Sequence, residues 1–194
     1  MSRELVYTAF ISLDGVVDSP GGTVEGHRSG GWVLGTEFVP EAFSLKAEEL
    51  AETTALMFGR RSYEAFAPTW VDSEDHVAYK PLPKYVVSTT LADDAKIDDW
   101  GPITILRSDA DVAELKQSDG GAIFIHGSAE LARRLSEADL IDRYPSFYWN
   151  TVSEHLGGAI KYLAMTVSGR QWIANLHHHV LCAENDDRLM GPQR

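Results

Sequence analysis

Two adjacent arginines follow a glycine at the end of an apolar run, in the segment Phe58-Gly59-Arg60-Arg61-Ser62. The glycine lets the backbone approach a ligand, and a helix that begins at this point would present free N–H groups. Such N–H groups and two guanidinium groups together suit a phosphate. The alternative is a turn followed by exposed arginines, and the local sequence does not decide between them.

Hydroxyl groups end the apolar run Val86–Thr90, where Ser88 and Thr89 stand side by side. They can bind a phosphate or ribose oxygen. They can equally bond to their own backbone, as serine and threonine often do at strand ends. The hydroxyl pair is therefore a weak indication of a site.

A third candidate lies in Ile125–Glu130, which has the order strand, glycine, helix expected of a pyrophosphate cradle. Gly127, Ser128 and Ala129 form its turn. The segment lacks the G-x-G-x-x-G pattern of a dinucleotide-binding turn, so spacing alone does not identify a cofactor.

Asp14 is the carboxylate best placed for proton handling, because it follows the first apolar run and precedes a glycine-rich stretch. Seven glycines fall between positions 15 and 35, which indicates a long loop of the kind that binds ligands, covers a site or is disordered. Asp14 is predicted either as a general acid or water-orienting group, or as half of a turn-forming Asp-Gly pair.

We predict no metal site. His177, His178 and His179 are adjacent and cannot all point at one ion on a regular backbone, and the single Cys182 has no second soft ligand at finger spacing. The chain also lacks a G-x-S-x-G elbow, so acyl-transfer chemistry has no support.

Alternating strands and helices from residue 5 to 138 must position these groups. This alternation predicts an α/β domain with a mostly parallel sheet, whose ligands bind where the carboxyl ends of the strands meet helix starts. The predicted strands are 5–13, 53–58, 84–89, 103–106 and 122–126, and the helices are 41–52, one that starts at 63–67, 110–117 (capped by Asp109) and 129–138.

Length and charge restrict the class of protein. The 194 residues suit one domain, 1–194, and a net charge of −12 argues against a nucleic-acid partner. One cysteine and no long apolar run lead us to expect a cytoplasmic chain with no membrane partner. The acidic balance still permits a phosphorylated small-molecule substrate held by a few local arginines. The negative charge is uneven: residues 1–144 hold 13 Lys and Arg against 25 Asp and Glu, whereas 145–194 hold 4 and 4.

Four motifs stand in order along residues 3–143: Phe10–Val17, Met57–Glu64 with Trp70 after it, Pro83–Thr90 and His126–Ala132. Together they resemble the dihydrofolate reductase-like proteins related to the C-terminal domain of RibD, a bifunctional deaminase and reductase of riboflavin biosynthesis. The zinc-deaminase pattern of H-x-E with P-C-x-x-C is absent from the sequence, so the resemblance is to the stand-alone reductase type.

The resemblance implies a dihydrofolate reductase-like fold, with a mostly parallel central sheet, flanking helices and antiparallel closing strands. It also implies a homodimer that binds NADPH and transfers a hydride to a C=N or C=O carbon of a small heterocyclic or ribosyl substrate. Asp14 then lies near the nicotinamide and supplies a proton directly or through water. The implied cofactor contacts are Gly59, Arg60, Arg61 and Ser62 for phosphates, Ser88 and Thr89 for the adenosine side, and Gly127, Ser128 and Ala129 for the pyrophosphate and nicotinamide ribose.

The resemblance ends after residue 144, where the charge also changes. One hypothesis is a divergent or frame-changed tail over 145–194, and the other is a native variant with strands at 159–167 and 170–183. This difference keeps open two alternatives to a reductase: a dimer that binds a nucleotide or pterin without turnover, and a plain α/β interaction module.

Overall fold

A computed structural model describes residues 2–11, 16–28, 30–34, 40–148 and 163–166, and the strands within these residues form one central sheet. The strands are β1 Leu5–Ile11, β2 Thr53–Gly59, β3 Lys84–Val87, β4 Ile103–Leu106, β5 Ala122–His126, β6 Pro145–Tyr148 and β7 Leu163–Thr166. They lie side by side in the order β4-β3-β2-β5-β1-β6-β7. The helices are α1 Pro40–Glu52, α2 Arg60–Trp70, α3 Asp109–Gln117 and α4 Ala129–Glu137, with 3₁₀ helices at Thr23–Glu25 and Glu74–Tyr79.

Strands β1 to β6 pair in parallel, which confirms the predicted α/β domain with helices beside a parallel sheet. The carboxyl ends of β1, β2, β3, β4 and β5 therefore share one edge. Strand β7 pairs antiparallel with β6 and falls inside the strand predicted at 159–167. The remaining closing strands, including 170–183, lie outside the described residues and stay a prediction.

The two faces of the sheet carry separate hydrophobic cores because strand side chains alternate. Tyr7 and Ile123 pack on one face with Val112 of α3 and Leu135 of α4. Phe58, Val86 and Trp100 pack on the other face with Tyr63 of α2 and Tyr79 of the second 3₁₀ helix. Both cores support the strands whose ends carry the candidate site residues.

Two helix starts differ from the sequence prediction. Helix α2 begins at Arg60, directly after β2, and not at Tyr63. Helix α3 is capped by Ser108, whose hydroxyl accepts from Asp111 N while the Asp111 carboxylate accepts from Ser108 N, so that Asp109 is the first helical residue and not the cap. This reciprocal pair satisfies two N–H groups, which a single Asp109 cap would not do.

Within the described part of the glycine-rich stretch, 16–28 and 30–34, the regular structure is one 3₁₀ turn at Thr23–Glu25. This observation agrees with the predicted loop. Asp14 lies outside the described residues. None of the helices described is long and apolar enough to cross a membrane.

Candidate functional site

Two helices begin side by side at the shared carboxyl edge. Helix α2 starts directly after β2 and α4 starts after β5, and these two strands are neighbours in the sheet. Neither helix has a side-chain cap: the N-cap residues Gly59 and Ser128 make no such bond. In both helices the first N–H groups face this edge, and the N-cap side chain does not accept from them. Such N–H groups favour the binding of an anion at the edge.

Ser128 joins the two helix starts. Its Oγ accepts from Gly59 N at 3.0 Å and donates to His126 O at 3.1 Å, while its own N–H donates to Ser62 Oγ at 3.0 Å. Ser128 adopts a left-handed backbone conformation with φ 57°. The structure therefore joins Gly59 and Ser62 of one predicted segment to Ser128 of another in one hydrogen-bonded group.

Gly127 occupies a position that strongly favours glycine. Its φ is +56°, and a Cβ atom built there would lie 3.1 Å from Cζ of Phe66 and 3.5 Å from Oγ of Ser62. Ala129 follows as the residue after the cap and begins α4. The tight turn at Gly127 is what places Ser128 against α2.

The two predicted arginines have different surroundings. Arg60 donates from Nε to Glu64 at 2.8 Å and from Nη1 to Thr90 Oγ1 at 2.9 Å, which links α2 to the loop after β3. About half of the Arg60 and Glu64 side chains is exposed, so solvent screens this pair and a stronger anion could replace it at small cost. Arg61 is exposed in the first turn of α2.

Ser88 has a structural role in the loop after β3. It is 8% exposed, and its Oγ accepts from the backbone N–H groups of Thr90 and Leu91 at 3.2 and 2.9 Å. This is the backbone-bonding alternative that the sequence left open. Thr89, beside it, is exposed at the same edge.

Arg107 follows β4 and lies beside the loop that carries Ser88 and Thr89. The sequence analysis did not identify it as a site residue. Its guanidinium donates to the carbonyls of Ser88 and Leu91 at 2.9 and 2.6 Å and pairs with Asp93 at 2.6 Å. Its position could have indicated this, because Arg107 directly follows a predicted parallel strand and therefore lies at the carboxyl edge of the sheet. Arg107 shapes the loop that carries Ser88 and Thr89.

A buried polar group that the sequence did not predict lies beside β1. Lys46 Nζ of α1 donates to Thr8 Oγ1 at 2.7 Å and to Glu49 Oε2 at 2.8 Å, and Thr8 Oγ1 donates to Glu49 Oε1 at 2.9 Å. Burial raises the pKa of the Glu49 carboxyl, an effect that Lys46 and Thr8 oppose. Burial likewise lowers the pKa of Lys46, and the neighbouring Glu49 carboxylate opposes that shift.

His126 lies next to this group, because it pairs in register with Thr8 across β1 and β5. Its Nε2 atom is buried and has no hydrogen-bond partner. Burial, and then the positive charges of Lys46 and His76, lower the pKa of His126 well below its ordinary value. His126 is therefore a neutral imidazole at physiological pH.

Aromatic rings form a wall that runs from Gly127 to the second 3₁₀ helix. Phe66 stacks on Trp70 with ring centroids 4.9 Å apart, and Trp70 stacks on His76 at 4.3 Å. The edges of Trp70 and Tyr79 meet the His126 ring at 5.6 and 5.4 Å. This wall gives the edge a flat, apolar border beside the Gly127 turn.

The remaining predicted site residues are not tested by the structure. Asp14 and His177–His179 lie outside the described residues, so the roles predicted for them stay predictions. Among the residues described, no group of three His, Cys, Asp or Glu side chains is arranged to hold a metal ion.

Sequence comparison matches residues 3–152 to the family described as the RibD C-terminal domain. This chain belongs to the RibD C-terminal domain family. Membership indicates a reductase of the type found in riboflavin biosynthesis. A second, shorter match relates residues 126–186 to the Npun_R2479-like family, and no curated protein sequence matches the chain.

The fold of this family member is shared with solved structures. A protein from Shewanella sp. PV-4 assigned to riboflavin biosynthesis superposes with a TM-score of 0.57 at 16% sequence identity. The superposition covers 83% of this chain and 82% of that protein. At this identity the likeness supports the architecture and does not transfer a substrate.

Proposed function

We propose that this chain is an NADPH-dependent reductase with a dihydrofolate reductase-like fold. It transfers a hydride to a C=N or C=O carbon of a small heterocyclic or ribosyl substrate, as a homodimer. The observation that carries the proposal is the hydrogen-bonded junction of the α2 and α4 starts through Gly59, Ser62 and Ser128, beside Arg60.

The residues at this junction fit a dinucleotide. Gly127 lacks a Cβ where one would press on Phe66, so the turn before α4 can pack closely against α2. The N–H groups of two helix starts and the guanidinium groups of Arg60 and Arg61 supply positive charge in an otherwise acidic chain. Arg60 and Arg61 would hold phosphates, and Gly127, Ser128 and Ala129 would lie along the pyrophosphate and nicotinamide ribose.

The bound cofactor would supply the hydride, and this chain's residues orient it and exclude water. The Phe66 and Trp70 rings border the Gly127 turn and keep that side apolar. Thr89 and the loop braced by Arg107 would face the adenosine end. Asp14 is proposed as the proton source.

Titration of the purified protein with NADPH, followed by nicotinamide fluorescence, tests the proposal. We expect saturable binding below millimolar concentration, and its absence would exclude both the reductase and the non-catalytic nucleotide-binding dimer. A screen of heterocyclic and ribosyl substrates for loss of NADPH absorbance then separates these two functions. If Asp14→Asn abolishes turnover and retains NADPH binding, the reductase is supported. Sedimentation measures whether the chain forms a dimer.

A further inference from the structure

The first turn of helix α2 makes contacts on both sides of β2. Strand β2, which precedes this helix, lies between β5 and β3 in the sheet. Ser62 accepts from the Ser128 N–H on the β5 side at 3.0 Å, whereas Arg60 donates to Thr90 Oγ1 on the β3 side at 2.9 Å. A ligand that lies across these strand ends therefore meets Ser62 toward β5 and Arg60 toward β3.

The Arg60 guanidinium is held by two acceptors of different kinds. Its Nε donates to the Glu64 carboxylate one turn along α2 at 2.8 Å, and its Nη1 donates to the Thr90 hydroxyl. A guanidinium carries five N–H donors, and within the part of the chain that the structure describes no other residue accepts from Arg60. Since 45% of the side chain is exposed, the Nη2 amino group is available to a ligand.

The Thr90 hydroxyl fixes Arg60 and does not shape its own loop. The loop is closed by the Thr90 backbone N–H, which donates to Ser88 Oγ at 3.2 Å and does not involve the hydroxyl. Among the residues described, the hydroxyl bonds to Arg60 alone. An arginine that is held in place before a ligand arrives spares the ligand the entropy cost of ordering that side chain, which corresponds to roughly 2- to 10-fold in affinity.

The Glu64 carboxylate has the opposite effect on an anionic ligand. It neutralises part of the Arg60 charge, and a phosphate held by the same guanidinium stands about 6 Å from it, so the two anions repel each other. A phosphate monoester carries a charge of about −1.5 to −2 at pH 7, whereas a carboxylate carries −1. Because Glu64 is half-exposed, solvent screens this repulsion and limits it to about two- to threefold in affinity.

We infer that Thr90 and Glu64 set the cofactor preference of this chain through Arg60, which binds the phosphate on the adenosine ribose of NADPH. The inference rests on the proposed function, in which the loop after β3 faces the adenosine end. The phosphate at that end is the 2′-phosphate, because the pyrophosphate is assigned to the Gly127 turn on the other side of β2. Thr90 is a positioning residue for the guanidinium, and Glu64 lowers the affinity for the phosphate by its charge.

The test measures the dissociation constants of NADPH and NADH, which lacks the 2′-phosphate, in matched variants. Thr90→Val keeps the side-chain shape without the hydroxyl and should lower the preference for NADPH by about threefold or more, whereas Thr90→Ser should keep it. Glu64→Gln leaves an oxygen for Arg60 Nε without the charge and should raise the preference by about two- to threefold. Thr69→Val and Glu114→Gln, at exposed positions on α2 and α3, are the controls and should change neither constant.

Opposite shifts in Thr90→Val and Glu64→Gln support the inference. Because both cofactors are measured on the same protein, a general loss of structure weakens both and leaves their ratio unchanged, and an unchanged ratio in Thr90→Val overturns the inference. A lower preference in Glu64→Gln overturns the role given to Glu64. If the unmodified chain binds NADPH and NADH equally well, the inference fails while nucleotide binding stands, and if it binds neither, the proposed function fails.

Discussion

The Ser128 N–H donates to Ser62 Oγ at 3.0 Å, and this bond joins the first turns of α2 and α4. These residues are far apart in sequence and meet because β2 and β5 are neighbours in the sheet. The bond links the two helix starts, so a ligand that binds there would contact residues of both helices.

Replacing Ser62 by alanine should loosen this junction. The Ser128 N–H loses its acceptor, and an unsatisfied, partly buried donor costs about 1–3 kcal/mol. Urea unfolding measures the decrease in the free energy of unfolding. The dissociation constant of NADPH should rise in the same variant. Ser118→Ala, which removes an exposed hydroxyl at the end of α3, is the control and should change neither quantity appreciably.

Arg60 and Arg61 should determine the preference for NADPH over NADH. Each Arg→Ala change removes a charge-assisted bond of about 1.5–3 kcal/mol, so we expect NADPH to bind roughly 10- to 100-fold more weakly. NADH, which lacks the 2′-phosphate, should lose much less. Equal losses for the two cofactors would refute this role. Arg133→Ala, at an arginine paired with Glu130 and Glu137 on α4, is the control.

Gly127→Ala should be far more disruptive than Gly59→Ala. The first change forces alanine into a left-handed conformation, at about 1–2 kcal/mol, and presses its Cβ on Phe66. At Gly59 the backbone is extended with φ −74°, and the added Cβ meets Leu131 at an ordinary 3.6 Å. Thermal unfolding of the two variants compares the costs, and similar melting temperatures would contradict the expectation.

Lys84 should make stability depend on pH in the mildly alkaline range. Its fully buried ammonium donates to the carbonyls of Tyr79 and Lys80, and burial lowers its pKa to about 8. The unfolded chain keeps this proton up to about pH 10.4, so between these values the unfolded state binds more protons and the free energy of unfolding rises with pH.

Urea unfolding between pH 7.5 and 9.5 measures this rise, with Lys84→Met as the matched variant. The rise attributable to Lys84 is at most about 1.4 kcal/mol per pH unit and should be missing from Lys84→Met. Parallel pH curves for the two proteins would show that Lys84 does not titrate there. Exposed Lys96→Met should behave as the unmodified chain does.

The strand-end positions could be predicted from the sequence because few arrangements are compatible with alternating strands and helices. Parallel strands put their carboxyl ends on one edge, and this rule already placed Gly59, Ser88 and Gly127 together. The same rule applied to β4 would have added Arg107. The spacing of residues does not predict the hydrogen-bond partner of each side chain. The Ser88 hydroxyl, for example, accepts from two backbone N–H groups.

The Lys46 group could not be predicted for a different reason. Lys46 and Glu49 stand in an acidic amphipathic helix, where charged residues usually indicate the solvent face. Only the packing of α1 on β1 shows that these two charges turn inward to Thr8. Asp109 illustrates a smaller effect: both Ser108 and Asp109 are good caps, and the Asp111 carboxylate favours Ser108.

The central position of β1 affects how the chain folds during synthesis. Leu5 pairs with Ile123 and Ala9 with Ser146, so β1 has neither of these neighbours until residues beyond 120 have followed it out of the ribosome. At typical elongation rates that delay is roughly 6–25 s. During it an apolar strand with two open edges can pair with other chains, so recovery of native protein should depend on slow dilution or a chaperone more than on final stability.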